Sequence, residues 1–121
     1  MENNNWQIVQ NHLDAWKQKD FSKVKYAPNL YFKGPIDEFK KASDFRATAT
    51  EVSQMVADIV VQQKFIDGDN IAVLYDFVTN TPLGTMAIAE FYQLEGGEIK
   101  SIRTIFDPRA DIELTGRMPA K

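Results

Sequence analysis

Three side chains are the candidates for acid–base chemistry: His12, Asp76 and Glu90. His12 is the only histidine in the chain, and an imidazole with a pKa near about 6.5 can donate or accept a proton at neutral pH. Asp76 and Glu90 each stand within a run of apolar residues, where a carboxyl group is uncommon unless it is paired or functional. Brought together in one apolar cavity, these three groups would form a catalytic constellation in which two close carboxylates share a proton.

Each candidate also has a structural interpretation without chemistry. His12 could be a helix histidine with a satisfied hydrogen bond, and Glu90 could face outward and pair with a lysine or arginine. Asp76 would face solvent or another chain if its neighbours Tyr75 and Phe77 pointed into the core. Because a slip of one residue exchanges the two faces of a strand, the sequence leaves both interpretations open.

The composition excludes several functional classes. The absence of cysteine excludes disulfides, thiolate metal sites, iron–sulfur clusters and cysteine nucleophiles. The net charge of −3 argues against a nucleic-acid surface, which is normally basic. The sequence has no glycine-rich phosphate loop, dinucleotide fingerprint or nucleophile elbow. We therefore expect no cofactor, no metal and no nucleic-acid partner.

The chain is expected to be one cytoplasmic domain spanning residues 1–121, with a core over about 5–109. Its 121 residues are 44% hydrophobic and 26% charged, which is typical of a globular protein. No apolar run reaches the roughly 18–20 residues of a membrane span. The opening Met-Glu-Asn-Asn-Asn lacks the pattern of a signal peptide. We therefore expect no membrane partner.

Helical periodicity comes first along the chain. An apolar stripe of Trp6, Val9, Leu13 and Trp16 predicts a helix over about residues 4–19. A second helix is predicted from Ser43 and continues as far as Met55 and Val56. Between the two helices, residues 30–33 read as a short strand that Gly34-Pro35 stops.

From residue 58 the hydrophobic period changes to two, which indicates strands. Four strands are predicted, at 58–67, 70–80, 85–95 and 98–107, followed by an irregular tail over 110–121. Gly68-Asp69 and Gly96-Gly97 suit tight hairpins. Helices followed by an antiparallel meander are typical of an α+β fold.

Several of these predicted strands are apolar on both faces. In the strand 70–80, one face carries Ile71, Val73, Tyr75 and Phe77, and the other carries Ala72, Leu74 and Val78. An antiparallel sheet with one wet face should instead alternate. One face would therefore pack on the helices, and the outer face would pack on a second copy of the chain, which predicts a homodimer. The favoured register puts even-numbered residues toward a pocket and leaves Arg103 outward. Predicted ligand contacts are Trp16, Tyr31, Leu74, Val78, Met86, Ile88, Tyr92, Ile102, Thr104 and Phe106.

A series of short motifs resembles one known family. In order they are Leu30–Pro35, Phe65–Asp69, Tyr75–Phe77, Thr81–Thr85, Ala89–Phe91, Gly97–Ile99 and Phe106–Arg109. Their order and spacing resemble SnoaL-like members of the nuclear transport factor 2-like superfamily. The resemblance implies a cone, in which a curved mixed sheet wraps the helices around an apolar pocket. Members include ketosteroid isomerases, polyketide cyclases, epoxide hydrolases and dehydratases.

The resemblance also bears on single residues. Ketosteroid isomerase-like members place a proton-shuttling aspartate immediately before a proline, and here that position is Gly34, which cannot act as a base. His12 falls where those enzymes carry a tyrosine donor to the oxyanion, and Glu90 where they carry a protonated acid. An epoxide hydrolase-like arrangement of Asp76, Arg103 and Asp107 would need Arg103 to point inward.

Three functions follow as hypotheses. The first is a cofactor-independent enzyme for proton transfer, cyclisation, dehydration or hydrolysis, other than a standard ketosteroid isomerase. The second is a non-catalytic module that binds a small hydrophobic or amphipathic molecule. The third is a dimerisation domain whose pocket is filled by its own aromatic side chains. Because one fold hosts many functions, the residues of the site must decide among them.

Overall fold

The computed structural model of the chain describes residues 4–115. Its elements are α1 (Asn5–Gln18), β1 (Tyr26–Lys33), β2 (Glu38–Phe39), α2 (Ala42–Ser53), β3 (Val56–Asp67), β4 (Asn70–Thr79), β5 (Thr85–Glu95), β6 (Glu98–Ile105) and α3 (Arg109–Thr115). The six strands form one sheet in the order β2-β1-β6-β5-β4-β3. β1 runs parallel to β6, and the other neighbours are antiparallel. The expected α+β fold with a curved mixed sheet is confirmed.

Helix α1 follows its predicted boundaries because its apolar stripe packs on the sheet. Val9 and Leu13 are almost completely buried. The helix ends at Lys19, whose backbone is left-handed with φ of 59°. The Lys19 ammonium donates to the carbonyls of Ser53 and Val56, at 2.7 and 3.0 Å. This contact joins the end of α1 to the junction of α2 and β3.

Two boundaries differ from the prediction around the second helix. β1 begins at Tyr26, four residues before the predicted start, because Pro28 is accommodated where the pairing of β1 with β6 is irregular. Val56 belongs to β3 rather than to α2. A β-branched residue at a helix end can continue equally well as a strand when its side chain remains buried, as Val56 does.

The hairpins of the meander form at the predicted glycines. Gly68 and Gly97 adopt φ values of 59° and 80°, which a glycine reaches without steric cost. The irregular tail predicted over 110–121 is wrong for residues 110–115, which belong to α3. Asp107 accepts a hydrogen bond from the Arg109 backbone at 3.1 Å, so an Asp-Pro pair begins this helix. The rest of the tail, 116–121, lies outside the described residues.

The sheet has two distinct faces, and the predicted register of β4 is wrong. The inner face packs on α1 and α2, and the outer face is opposite. In β4 the odd residues are inner, including Tyr75 and Phe77, while Leu74, Asp76 and Val78 are outer. Antiparallel partners share a face, and Tyr75 pairs with Ile88 of β5. The even residues of β5 are inner, as predicted, and so are Ile102 and Thr104 of β6. A register shift in the β5–β6 pairing makes Ile99 inner and leaves Glu98 and Lys100 exposed.

Within residues 4–115, no helix is long and apolar enough to cross a membrane.

A cavity with a buried carboxylate network

A partly open cavity of about 90 Å³ lies between α2 and the inner face of the sheet. α1 contributes Trp16, α2 contributes Phe45 and Val52, and the loop after β1 contributes the segment 34–37. Most of the lining is apolar or aromatic. The polar side chains are Asp37, Thr48 and a group of three on adjacent strands, Tyr75, Glu90 and Thr104, and we term this group of three the polar wall.

The polar wall is assembled by strand register. Glu90 of β5 pairs directly with Thr104 of β6, and both are inner residues. The Thr104 hydroxyl donates to Glu90 Oε2 at 2.7 Å, and the Tyr75 hydroxyl donates to the same oxygen at 3.1 Å. Two hydroxyl groups from the flanking strands therefore hold one carboxylate oxygen.

The second carboxylate oxygen is held from behind the cavity. The Tyr92 hydroxyl donates to Glu90 Oε1. His12 Nε2 lies 3.4 Å from Oε1, at ion-pair distance but without a hydrogen bond of good geometry. His12 Nδ1 contacts the Tyr26 hydroxyl at 2.5 Å. These three residues are buried and do not line the cavity, so they form a supporting layer behind the polar wall.

The network keeps Glu90 ionised. Burial alone would raise the pKa of Glu90, but the proximity and charge of His12 and the hydrogen bonds of Tyr92 and Thr104 outweigh burial and lower it. Burial, reinforced by the charge of Glu90, raises the pKa values of Tyr75 and Tyr92 well above the usual range. The site therefore combines a carboxylate with neutral hydroxyl donors.

The structure brings together only part of the predicted site. Six predicted residues line the cavity: Trp16, Met86, Ile88, Glu90, Thr104 and Phe106. His12 and Tyr92 stand behind Glu90, and Ile102 is buried on the inner face without reaching the cavity.

Four predicted site residues lie on the outer face. Leu74, Asp76 and Val78 follow the corrected register of β4. Asp76 accepts a hydrogen bond from Gln62 at 2.9 Å. Tyr31 is 40% exposed and donates to Glu38 at 2.5 Å. Arg103 is exposed, as predicted. None of these side chains touches the cavity.

Sequence reasoning missed several lining residues, chiefly the aromatic side chains Phe32, Phe45 and Phe77. The signal for Phe77 was its bulk: Tyr75 and Phe77 are the largest side chains of β4, and large rings fill a core better than Leu74 or Val78. Gly34 also lines the cavity. A Cβ added there would lie 3.3 Å from the Phe32 ring, so this wall carries an aromatic edge where a side chain of residue 34 would stand.

Comparison with protein families gives one match that covers nearly the whole chain. A family model described as "Domain of unknown function (DUF4904)" matches residues 1–120. No curated protein matches the chain.

Comparison with solved structures gives close matches in fold. A nuclear transport factor 2-like protein of unknown function from Cytophaga hutchinsonii is 26% identical over 90% of this chain and 95% of its own, with a TM-score of 0.76. A SnoaL-like polyketide cyclase from Jannaschia is 13% identical over 90% and 89%, with a TM-score of 0.71. A steroid delta-isomerase from Pseudomonas aeruginosa is 13% identical over 96% and 88%, with a TM-score of 0.74. At 13% identity the likeness concerns the fold alone.

Proposed function

The chain belongs to the DUF4904 family and to the nuclear transport factor 2-like superfamily by its fold, and from that premise we propose that it binds a small molecule in the cavity. The observation that carries the proposal is the ionised, buried Glu90 in the wall of a partly open, mainly apolar cavity. Specific sites commonly combine an apolar lining with a few convergent polar groups. A cavity lined by polar groups also counts against a pocket filled entirely by its own side chains.

The size of the cavity limits the ligand. Each water-sized group needs about 10–15 Å³ of such space, so 90 Å³ admits about six to nine such groups. Pockets for drug-sized ligands are about 300–1,000 Å³, and a steroid would therefore require the cavity to open. Met55 and Met86 line it, and their flexible side chains can adapt to a ligand slightly larger than the present space.

Binding can be tested by nuclear magnetic resonance with a library of fragments of this size. The indole N–H of Trp16 reports on the cavity, while Trp6 packs under Lys64 at 4.0 Å outside it and serves as an internal control. We expect fragments that shift the Trp16 resonance and leave Trp6 unmoved. The Asp76→Asn variant should bind as the wild type does, because Asp76 lies on the outer face. A library that never moves Trp16 would refute the proposal.

A second candidate function is cofactor-independent catalysis of proton transfer, supported by the Glu90–His12 contact at 3.4 Å. Similar folds occur in a polyketide cyclase and a steroid delta-isomerase. Glu90 would be the catalytic residue at the cavity, and His12 would act through it as a positioning residue. Gly34 supplies no carboxylate at the place of the usual isomerase base, so standard ketosteroid isomerisation is not proposed. Glu90→Gln should then abolish turnover of a bound ligand while Asp76→Asn preserves it.

We also propose that the outer face forms a homodimer. Leu74, Phe91 and Ile105 are 38%, 48% and 51% exposed and lie on three adjacent strands. Contiguous apolar patches of this kind mark interaction surfaces, and a sheet face suits its own copy because a two-fold contact is self-complementary. Native mass spectrometry should show a dimer. Phe91→Asp should yield folded monomer, while Lys23→Asp in the α1–β1 loop should not.

A further inference from the structure

The polar wall accepts hydrogen bonds rather than donating them. A hydroxyl group has one hydrogen, and the hydrogens of Tyr75 and Thr104 are both committed to Glu90 Oε2. What these two oxygens can still offer a ligand is lone pairs. Glu90 itself, as a carboxylate, is an acceptor only. A polar ligand atom at this wall must therefore bring its own hydrogen or a positive charge.

The charged groups around the cavity have one sign. Among the described residues that line it, Glu90 and Asp37 are the charged ones, and no lysine, arginine or histidine takes part. His12 contacts the other oxygen of Glu90, on the side away from the cavity. His12 offsets part of the Glu90 charge from behind, but in a mainly apolar lining the charge that remains at Oε2 is screened less than it would be in water. An anionic ligand would meet repulsion there, and a cation would be attracted.

The rest of the lining suits a cation as well. Seven aromatic side chains surround the cavity: Trp16, Phe32, Phe39, Phe45, Tyr75, Phe77 and Phe106. The face of an aromatic ring carries partial negative charge and attracts organic cations, most strongly when water is excluded. A cage of rings around a carboxylate therefore favours an ammonium group with an apolar surface over a neutral molecule of the same shape.

One donor in the lining adds a second requirement. The Nε1–H of Trp16 is buried and lacks a hydrogen-bond partner, although a buried indole N–H usually has one. This group is neutral, so it does not offset the charge of Glu90. It is closed off from the cavity space as well as from solvent, so the lining side chains must shift before a ligand oxygen, such as a hydroxyl or ether, reaches it.

We infer that the ligand of this cavity is a small organic cation, an alkylammonium compound that carries an oxygen atom. The inference rests on the proposed binding function and specifies its ligand class. It differs from the expectation drawn from the resemblance, in which His12 and Glu90 would donate to an oxyanion. Here Glu90 is the anion, and its donors come from the protein.

Three molecules of one shape test the inference by changing only the charge. Choline is a cation, tert-butylethanol is its neutral carbon counterpart, and the anion of tert-butylacetic acid carries the opposite charge. Each has a trimethyl head on a short arm with oxygen and is of the size the cavity admits. Titration followed at the Trp16 indole should show choline binding at least about tenfold more tightly than tert-butylethanol, with the anion weakest.

The outcomes separate this inference from the proposed function. If tert-butylethanol binds as tightly as choline, or if the anion binds best, the cation assignment is overturned and small-molecule binding still stands. If none of the three moves Trp16, the cation assignment fails, and binding by other fragments then decides the proposed function separately.

Variants locate the source of the preference. Glu90→Gln keeps the shape and removes the charge, so the preference for choline should fall below about threefold. Asp37→Asn, in a half-buried loop where folding is less at risk, should reduce it by a smaller factor. The matched Asp76→Asn change on the outer face should leave it intact. A preference that survives both Glu90→Gln and Asp37→Asn would overturn the inference, and Asp37→Asn keeps the test valid should Glu90→Gln not fold.

Discussion

Glu90 and Asp76 are two carboxylates on neighbouring strands that differ in the face they occupy. Glu90 lies on the inner face, 2% exposed, with three hydroxyl donors and His12 around it. Asp76 lies half-buried on the outer face with Gln62 as a hydrogen-bond partner. The local sequence around both is apolar, yet only one of them is part of a cavity.

The difference shows that the neighbours across the sheet, more than those along the chain, decide what a carboxylate does. Glu90 is supplied with donors from β4 and β6, each an inner residue on its own strand. A buried charge is tolerated when hydrogen bonds and an opposite charge compensate for lost hydration. Asp76 needs no such compensation because its face of the sheet is open in the monomer.

The largest expected contrast is in stability. Glu90→Gln leaves the donors of the network competing for one oxygen and places an amide N–H₂ among them, which should cost about 2–4 kcal/mol of unfolding free energy. Asp76→Asn should change it by less than about 0.5 kcal/mol. Urea denaturation followed by tryptophan fluorescence measures both. Equal effects of the two changes would contradict the assignment of Glu90 as the centre of a buried network.

Urea denaturation at acidic pH tests whether the charge of Glu90 stabilises the folded protein. The pKa of Glu90 is lowered in the folded state, so its contribution to stability is present above the usual pKa of a glutamate. It is lost as the pH falls through the lowered value. On acidification, the free energy of unfolding of the wild type should therefore fall toward that of Glu90→Gln. The small difference in unfolding free energy between the wild type and Asp76→Asn should remain small.

At alkaline pH, the ionisation of the tyrosines distinguishes the inner face of the sheet from the outer face. Three of the four, Tyr26, Tyr75 and Tyr92, are buried and have pKa values well above the usual 10.0, chiefly through burial and then through the charge of Glu90. The fourth, Tyr31, is on the outer face, and its hydrogen bond to Glu38 raises its pKa.

Because folded pKa values are raised, the stability that these tyrosines contribute is present below the unfolded pKa and lost as the pH rises above it. We expect Tyr31 to ionise while the protein is still folded. The three buried tyrosines should ionise only when the protein unfolds. Tyrosinate absorbance compared with far-ultraviolet circular dichroism tests this. Ionisation of three or four tyrosines in a still folded protein would show that the network is open to solvent.

The sequence was sufficient for most of the elements, though not for β2 or α3, and for part of the site. Hairpin glycines and periodicity place β5 and the turn at Gly68 where the structure has them. The inner register of β5 was also predictable, because Ala87 and Ala89 are smaller than the inner residues Ile88 and Tyr92. Glu90 was therefore identified correctly as an inner carboxyl group.

The register of β4 could not be read with the same certainty because both of its faces are apolar. Leu74 and Val78 compete with Tyr75 and Phe77 for the core. Which pair faces inward is settled by the pairing of Tyr75 with Ile88 of β5, and the sequence of β4 alone does not show this pairing. The position of His12 behind Glu90, rather than in the cavity, depends on how α1 packs against the sheet. A helical stripe indicates which side of the helix is buried but not which strand residue it meets.

The smallest expected contrast uses one chemical change on the two faces. Thr104→Val removes a hydroxyl donor of Glu90 and should cost about 1.5 kcal/mol, while Thr85→Val on the exposed outer face of β5 should be neutral within about 0.5 kcal/mol or slightly stabilising. Since the Thr104 hydrogen bond is one cause of the lowered pKa of Glu90, Thr104→Val should also raise that pKa and make the protein more sensitive to acid. Urea denaturation at neutral and acidic pH measures both effects. A Thr104→Val protein as stable as Thr85→Val at both pH values would mean that the Thr104 hydroxyl does not support the carboxylate.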